Sequence, residues 1–194
     1  MGNDNPPFEF EGVNPFADPY LGKDLGPFHI ESTLGQGGMG VVYKGIHRNL
    51  QRPVAIKVLS STSDSMDGEA ITRFHQEALA YAKVRHPNVV EIYESGEEEG
   101  THYLAIELVE GKSLAEIMKE QGPLEDYHLI ELGEQLCGAL TNIHAAGLVH
   151  RDIKLGNVMI SETGLVKLMD FGVVRARTGK GAKKSAEIGG TLRC

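Results

Sequence analysis

Gly35, Gly37 and Gly40 form a GxGxxG pattern that Val42 extends to GxGxxGxV. Residues without a Cβ let the backbone approach an anion closely, so the chemistry on offer is a cradle for phosphates. A plain tight hairpin suits the same three glycines. A dinucleotide-binding turn is a further option, but it needs the glycines to open a helix and an acidic residue about twenty positions later for a ribose. Here the glycines run into the strand-like VVYKGI, and the residue at that distance is Lys57. Lys57 closes VAIK and points a single cation from apolar surroundings towards the space the glycines cover. Glu77 lies between Phe74 and Tyr81 on the inner side of the following helical stretch, where an unpaired carboxylate is costly. An ion pair of Lys57 with Glu77 satisfies both residues; an ordinary amphipathic helix edge is the plainer reading of the glutamate.

Further along, His150-Arg151-Asp152-Ile153-Lys154-Leu155-Gly156-Asn157 reads HRDxKxxN, and Asp170-Phe171-Gly172 follows. Taken singly, Asp152 suits a turn cap and Asp170 an Asx-turn before glycine. Taken with GxGxxGxV and VAIK, in this order and at these separations, they resemble the protein kinase family from about Phe28 to the last residue. The stretches GQGGMGVVYKG and VHRDIKLGNVMI are similar to the bacterial branch of eukaryotic-type (Hanks-type) serine/threonine kinases.

That resemblance implies transfer of the γ-phosphate of ATP to protein Ser/Thr hydroxyls, with ATP and Mg2+ as cofactors. It assigns the catalytic roles to Asp152, Lys154, Lys57 and Glu77, and the metal ligands to Asn157 and Asp170. Leu34, Gly35, Gln36, Gly37, Gly38, Met39, Gly40 and Val42 would cover the nucleotide, Ala55 and Met159 enclose the adenine, and Glu107 to Val109 supply a hinge behind Ile106. For the apolar residues of this set an ordinary core role fits nearly as well. His150 and Phe171, with Tyr81 and Ile92, would pack a spine between lobes, and Thr178 or Ser185 would dock on Arg151 once phosphorylated. Thr191 matches a threonine that contacts the catalytic aspartate and lysine.

Departures from the family pattern are Leu155 where proline is usual, Cys194 where tyrosine is frequent, and the lack of an APE motif and of the helices that follow it. An uncovered lobe exposes apolar surface, so self-association is expected. The alternative reading is a catalytically impaired fragment that only binds ATP or a partner. A small-molecule phosphotransferase of the same fold predicts a looser HxDxxxxN, against which Lys154 speaks.

The expected fold class is α+β, a bilobal protein-kinase fold. Strand-like FHIESTL, VVYKGI and VAIKVL, then VVEIYE and THYLAIELV around the acidic turn GEEEG, predict a five-stranded antiparallel sheet. One helix from Asp67 to Val84 carries Ile71, Phe74, Ala78, Tyr81 and Ala82 on a single face, and His86-Pro87-Asn88 ends it. Ser113 and Glu116 make a capping box for a short helix, and Leu129, Leu132, Leu136, Leu140 and Ile143 stripe a longer one from Asp126 to Gly147. Short strands VMI and VKLM follow. The predicted division is a disordered leader over 1–26, an N-lobe over about 27–110 and a partial C-lobe over 111–194.

A net charge of −8 without a basic, aromatic-interleaved stripe argues against nucleic acid as a partner. Arg175, Arg177, Lys180, Lys183 and Lys184 fall in one glycine-bearing stretch and read as a solvated loop. Cys137 and Cys194 form no metal or disulfide pattern, the start MGNDNPPFEFEG is not a secretory signal, and no apolar run is long enough for a membrane span. A cytoplasmic location is therefore expected.

Overall fold

The computed structural model describes residues 18–37, 40–59 and 68–169. Its strands are β1 (Asp24–Leu25), β2 (Phe28–Gly37), β3 (Gly40–His47), β4 (Arg52–Leu59), β5 (Ile92–Glu98) and β6 (Thr101–Glu107), with helix α1 (Gly68–Tyr81) between β4 and β5. They pair antiparallel in the order β1-β2-β3-β4-β6-β5. The predicted five strands are present, and β1 adds a short sixth.

Side chains alternate between the two faces of a strand, and the sheet uses both. Val54, Ile56 and Val58 of β4 join Tyr103 and Ala105 of β6, Phe28, Ile30 and Tyr43 in one apolar cluster. Ala55 and Leu59, with Leu104 and Ile106, face the other way and meet Phe74, Ala78 and Tyr81 of α1. Lys57 falls on this second face, between Ala55 and Leu59. Burying the aromatic rings alone removes on the order of 150–250 Å² of surface each from water.

Residues 18–26, expected to belong to the leader, are folded onto the sheet. Leu25 is buried and pairs with Phe28, Tyr20 meets the edge of Tyr43, and the Tyr43 hydroxyl donates to the Asp18 carboxylate at 2.9 Å. Leu25, Tyr20 and Asp18, too sparse to give a periodic pattern, dock the segment. Residues 1–17 lie outside the described residues.

After β6 come β7 (Gly111–Ser113), α2 (Leu114–Gln121), α3 (Asp126–Ala145), β8 (Val158–Ser161) and β9 (Val166–Leu168), the three strands forming a small antiparallel sheet in the order β7-β8-β9. The capping box of α2 is formed: Glu116 N–H donates to Ser113 Oγ, and Ser113 N–H to the Glu116 carboxylate at 2.8 Å. Helix α3 stops where Gly147 takes φ 74°, the left-handed conformation that favours glycine.

Two boundaries and one apolar stripe differ from the sequence expectation. Helix α1 ends at Tyr81, in a turn that buries Val84. Strand β5 starts at Ile92 because Val89 and Val90 leave the first sheet for β9: Val89 bridges Leu168, and Val90 N–H donates to Leu168 O at 3.0 Å. On α3 the core takes Ala139 and Ile143 fully and Leu132, Leu136 and Leu140 partly, whereas Leu129 stays exposed beside Tyr127 and Ile130. Among the described residues no helix is long and apolar enough to cross a membrane.

Candidate active site

The loop before β8 carries the HRDxKxxN residues, and backbone pairing fixes it to β9. His150 is 1% exposed; its Nδ1 accepts the Asp152 N–H at 3.4 Å, which leaves Nε2 as the donor to Met169 O at 3.0 Å. Met169 N–H in turn donates to Asn157 O at 2.9 Å. Between them Arg151 holds φ 65°, a left-handed conformation that a residue with a Cβ keeps only where its neighbours impose it.

Three functional side chains converge here. Asp152 Oδ2 receives Lys154 Nζ and Asn157 Nδ2, each at 2.9 Å, and the same Asn157 nitrogen donates to Asp152 O at 2.7 Å. Asn157 is 2% exposed. With its amide nitrogen directed at Asp152, it keeps Oδ1 as an acceptor, an oxygen of the hard type that Mg2+ binds. That oxygen is of a type that suits a divalent cation, although the described residues hold no group of three or more His, Cys, Asp or Glu placed to bind one. Asp170, the second expected ligand, lies outside the described residues, as do Phe171, Gly172, Thr178, Ser185 and Thr191.

Beneath the loop is a network that no motif signalled. Asn88 Nδ2 donates to Gln135 Oε1 of α3 at 2.6 Å and to Val166 O at 2.8 Å, while Val166 N–H donates to the same glutamine oxygen at 3.0 Å. Leu168 N–H donates to Asn88 O at 2.9 Å. Buried backbone groups need such partners, and a polar residue within an apolar helix face was the one available signal for Gln135.

Above the loop lies a cleft of about 490 Å³, a size typical of small-ligand sites. Leu34, Gly35 and Val42 line it from β2 and β3, Ala55, Lys57 and Ile106 from β4 and β6, and Glu107, Leu108 and Val109 from the connection between the two sheets. Gly156, Met159 and Met169 line the opposite side. The structure thus gathers around one cleft most of the residues singled out for the nucleotide. A Cβ on Gly35 would meet nothing within 4 Å, so the space beside this glycine is open. Gln36 is exposed, Gly37 pairs with Gly40 near the hairpin tip, and Gly38 and Met39 lie outside the described residues.

Val90, Gly111, Ser113 and Glu116 also line the cleft and were not assigned to it from sequence. The Ser113 hydroxyl, at 2.6 Å, and its backbone N–H both donate to the Glu116 carboxylate and hold it below its ordinary pKa, so the capping residue presents an anion at the cleft edge. A separate cavity of about 400 Å³ opens beside Phe28, Arg52, Arg85 and Tyr93 and includes none of the residues assigned to catalysis, nucleotide or metal.

The expected pair of Lys57 with Glu77 is not the arrangement found. Glu77 Oε1 lies 3.9 Å from Arg151 Nη1, and among the described residues this is its ion pair. Glu77 is more than a third exposed and Arg151 two thirds exposed, so water is available to a carboxylate that the sequence placed in the interior. Tyr81, one turn on, ties α1 to the loop by donating to Val149 O at 2.6 Å.

Residues 28–192 match the family described as the protein kinase domain. The Mycobacterium tuberculosis serine/threonine-protein kinase PknA is 42% identical over 164 residues, covering 81% of this chain and 38% of the relative. PknL of the same organism is 38% identical over 162 residues, covering 84% and 40%. The chain spans about two fifths of the length of these relatives. Among solved structures, the M. tuberculosis PknI kinase domain matches with a TM-score of 0.71 at 29% identity, over 79% of this chain and 61% of that one. Rad53 in complex with AMP-PNP matches with a TM-score of 0.67 at 28% identity, over 76% and 38%.

Proposed function

The chain belongs to the protein kinase family, and we propose that it transfers the γ-phosphate of ATP to serine or threonine hydroxyls of protein substrates. The observation that carries this reading is the convergence of Lys154 and Asn157 on the Asp152 carboxylate, in the loop whose Gly156 lines the same cleft as Lys57 and Gly35. In the transfer the substrate hydroxyl oxygen bonds to the γ-phosphorus, the bond from that phosphorus to the bridging oxygen breaks, and ADP leaves with the electron pair. Asp152 takes the hydroxyl proton. Lys154, against the same carboxylate, supplies positive charge beside the transferred group.

Lys57 would meet the α and β phosphates, Leu34 and the turn through Gly40 would cover them, and Val42, Ala55 and Met159 would enclose the adenine. Asn157 and Asp170 would hold Mg2+, which when bound neutralises charge on the phosphate oxygens. ATP as the phosphoryl donor is in keeping with a cytoplasmic location.

Incorporation of labelled phosphate into a generic basic protein tests the reading. The wild-type chain should label it, and Asp152→Asn should lower the rate by about 100-fold or more. A second reading, nucleotide binding without transfer, is favoured by the pairing of Glu77 with Arg151. It predicts nucleotide affinity with no label above the Asp152→Asn background.

The exposed Tyr127, Leu129 and Ile130 at the start of α3 support self-association of the 194-residue chain. Sedimentation should show species larger than the monomer, and Ile130→Glu should reduce them; a sharp monomer boundary in the wild type would contradict this.

A further inference from the structure

Glu107 ends β6, and its side chain and backbone serve different surfaces. Along β6, Leu104 and Ile106 pack on the cleft side of the sheet and Tyr103 and Ala105 on the far side, so alternation sends the Glu107 side chain away from the cleft. Its backbone, with Leu108 and Val109, lines the cleft rim. Behind that rim the carboxylate is fastened three times. Lys167 Nζ lies 2.6 Å from Oε1 and 2.9 Å from Oε2, and Glu91 N–H donates to Oε2 at 3.1 Å. Lys167 comes from β9, where Val166 and Leu168 on either side of it are buried in the core. The pair therefore joins the large sheet to the small one, with side chains only 12% and 22% exposed.

An ion pair so far removed from water is weak grounds for stability, because desolvating both charges offsets most of their attraction; fixing a register is the better-attested use. What it fixes here is the rim. The ladder between β4 and β6 ends at the Val54–Glu107 pair, so Glu107 is the last sheet-paired residue before Leu108 and Val109. Adenine presents an amino donor beside a ring-nitrogen acceptor, and guanine a carbonyl acceptor beside an N–H donor. A backbone rim distinguishes them only if its carbonyls and amides are held in place, since the penalty for the wrong base is a polar group left unpaired.

We propose that Lys167, acting through Glu107, is a positioning residue that holds the cleft rim in register and thereby sets the preference for adenine over guanine nucleotides. It rests on the reading of the cleft as a nucleotide site. The test displaces a fluorescent ADP from the 194-residue chain with ATP or GTP in the presence of Mg2+. The wild type should prefer ATP, and Lys167→Met should reduce the ATP-to-GTP affinity ratio at least about fivefold, chiefly by weakening ATP. Lys167→Arg, which keeps a donor cation, should restore the ratio to within about twofold of wild type. Glu107→Gln, a milder change of near-equal shape, should mimic Lys167→Met and supplies the answer should that variant not fold. A merely structural pair would weaken both nucleotides alike, and an unchanged ratio in either variant overturns the proposal while leaving the nucleotide site intact. Failure of the wild type to bind either nucleotide would instead remove the nucleotide site itself, and the proposal with it.

Discussion

The loop around Asp152 and helix α1 touch through Tyr81 and Glu77 but are held by different means. Around the loop, His150, Asn157, Asn88 and Gln135 are tied by short bonds to backbone and to each other, and the first three are nearly inaccessible to water. On α1 the Glu77 contact lies towards solvent, 3.9 Å from Arg151, while the half-buried His75 bonds Ser95 Oγ at 2.6 Å and His102 at 3.1 Å. A buried polar group keeps its geometry because losing a partner exposes it to a full desolvation penalty, whereas a half-exposed one exchanges partner for water at little cost. The arrangement for chemistry is thus fixed on one side, while the side carrying Glu77 can change partner.

That contrast can be broken first at its strong end. Asn88→Ala leaves Gln135 and Val166 O short of a donor in the interior and should destabilise the fold by about 2 kcal/mol, read from denaturant unfolding. At the weak end, Arg151→Ala removes the partner of Glu77 from an exposed pair and should change stability by less than about 1 kcal/mol. Similar losses from the two substitutions would dissolve the distinction.

The smallest effect concerns pH. Burial, then the neighbouring His102, holds the His75 imidazole below its ordinary pKa of 6.5, with Glu97 acting the other way. A lowered folded value means that the unfolded chain takes up the proton first. The stability linked to His75 is therefore complete above the ordinary value and is lost as pH falls through the lower folded one. A protonated His75 also ceases to accept from either Ser95 or His102. The thermal midpoint should drop as the pH is taken from about 7.5 to about 5.5, and His75→Gln should flatten the drop.

Much of this was legible in the residues. The alternation of β4 and β6, the Ser113 capping box and the glycine end of α3 are local patterns, and each set the structure it predicts. Partner choice was not local. Val89 and Val90 have the β-branched character of a strand, but nothing in their spacing tells β6 from β9 as the partner. Glu77 on an inner helix face signals a partner for a carboxylate without saying whether the cation is Lys57 or Arg151. Asn88, Gln135 and Lys167 belong to no motif, since what they satisfy is brought near them only by the fold. The nucleotide residues stood out because their chemistry requires particular types at particular spacings; the residues that hold them in place can be met by many side chains.

The central claim is that Asp152, set by Lys154 and Asn157, acts on a nucleotide bound in the cleft. Its most direct test is a single-turnover measurement, protein in excess over labelled ATP, made on the wild type and Asp152→Asn alongside the affinity of each for fluorescent ADP. The prediction is transfer in the wild type, a loss of about 100-fold or more in the variant, and nucleotide affinity within about twofold between them. Equal transfer rates from the two proteins, or a loss of nucleotide affinity that accounts for the whole effect, would contradict it.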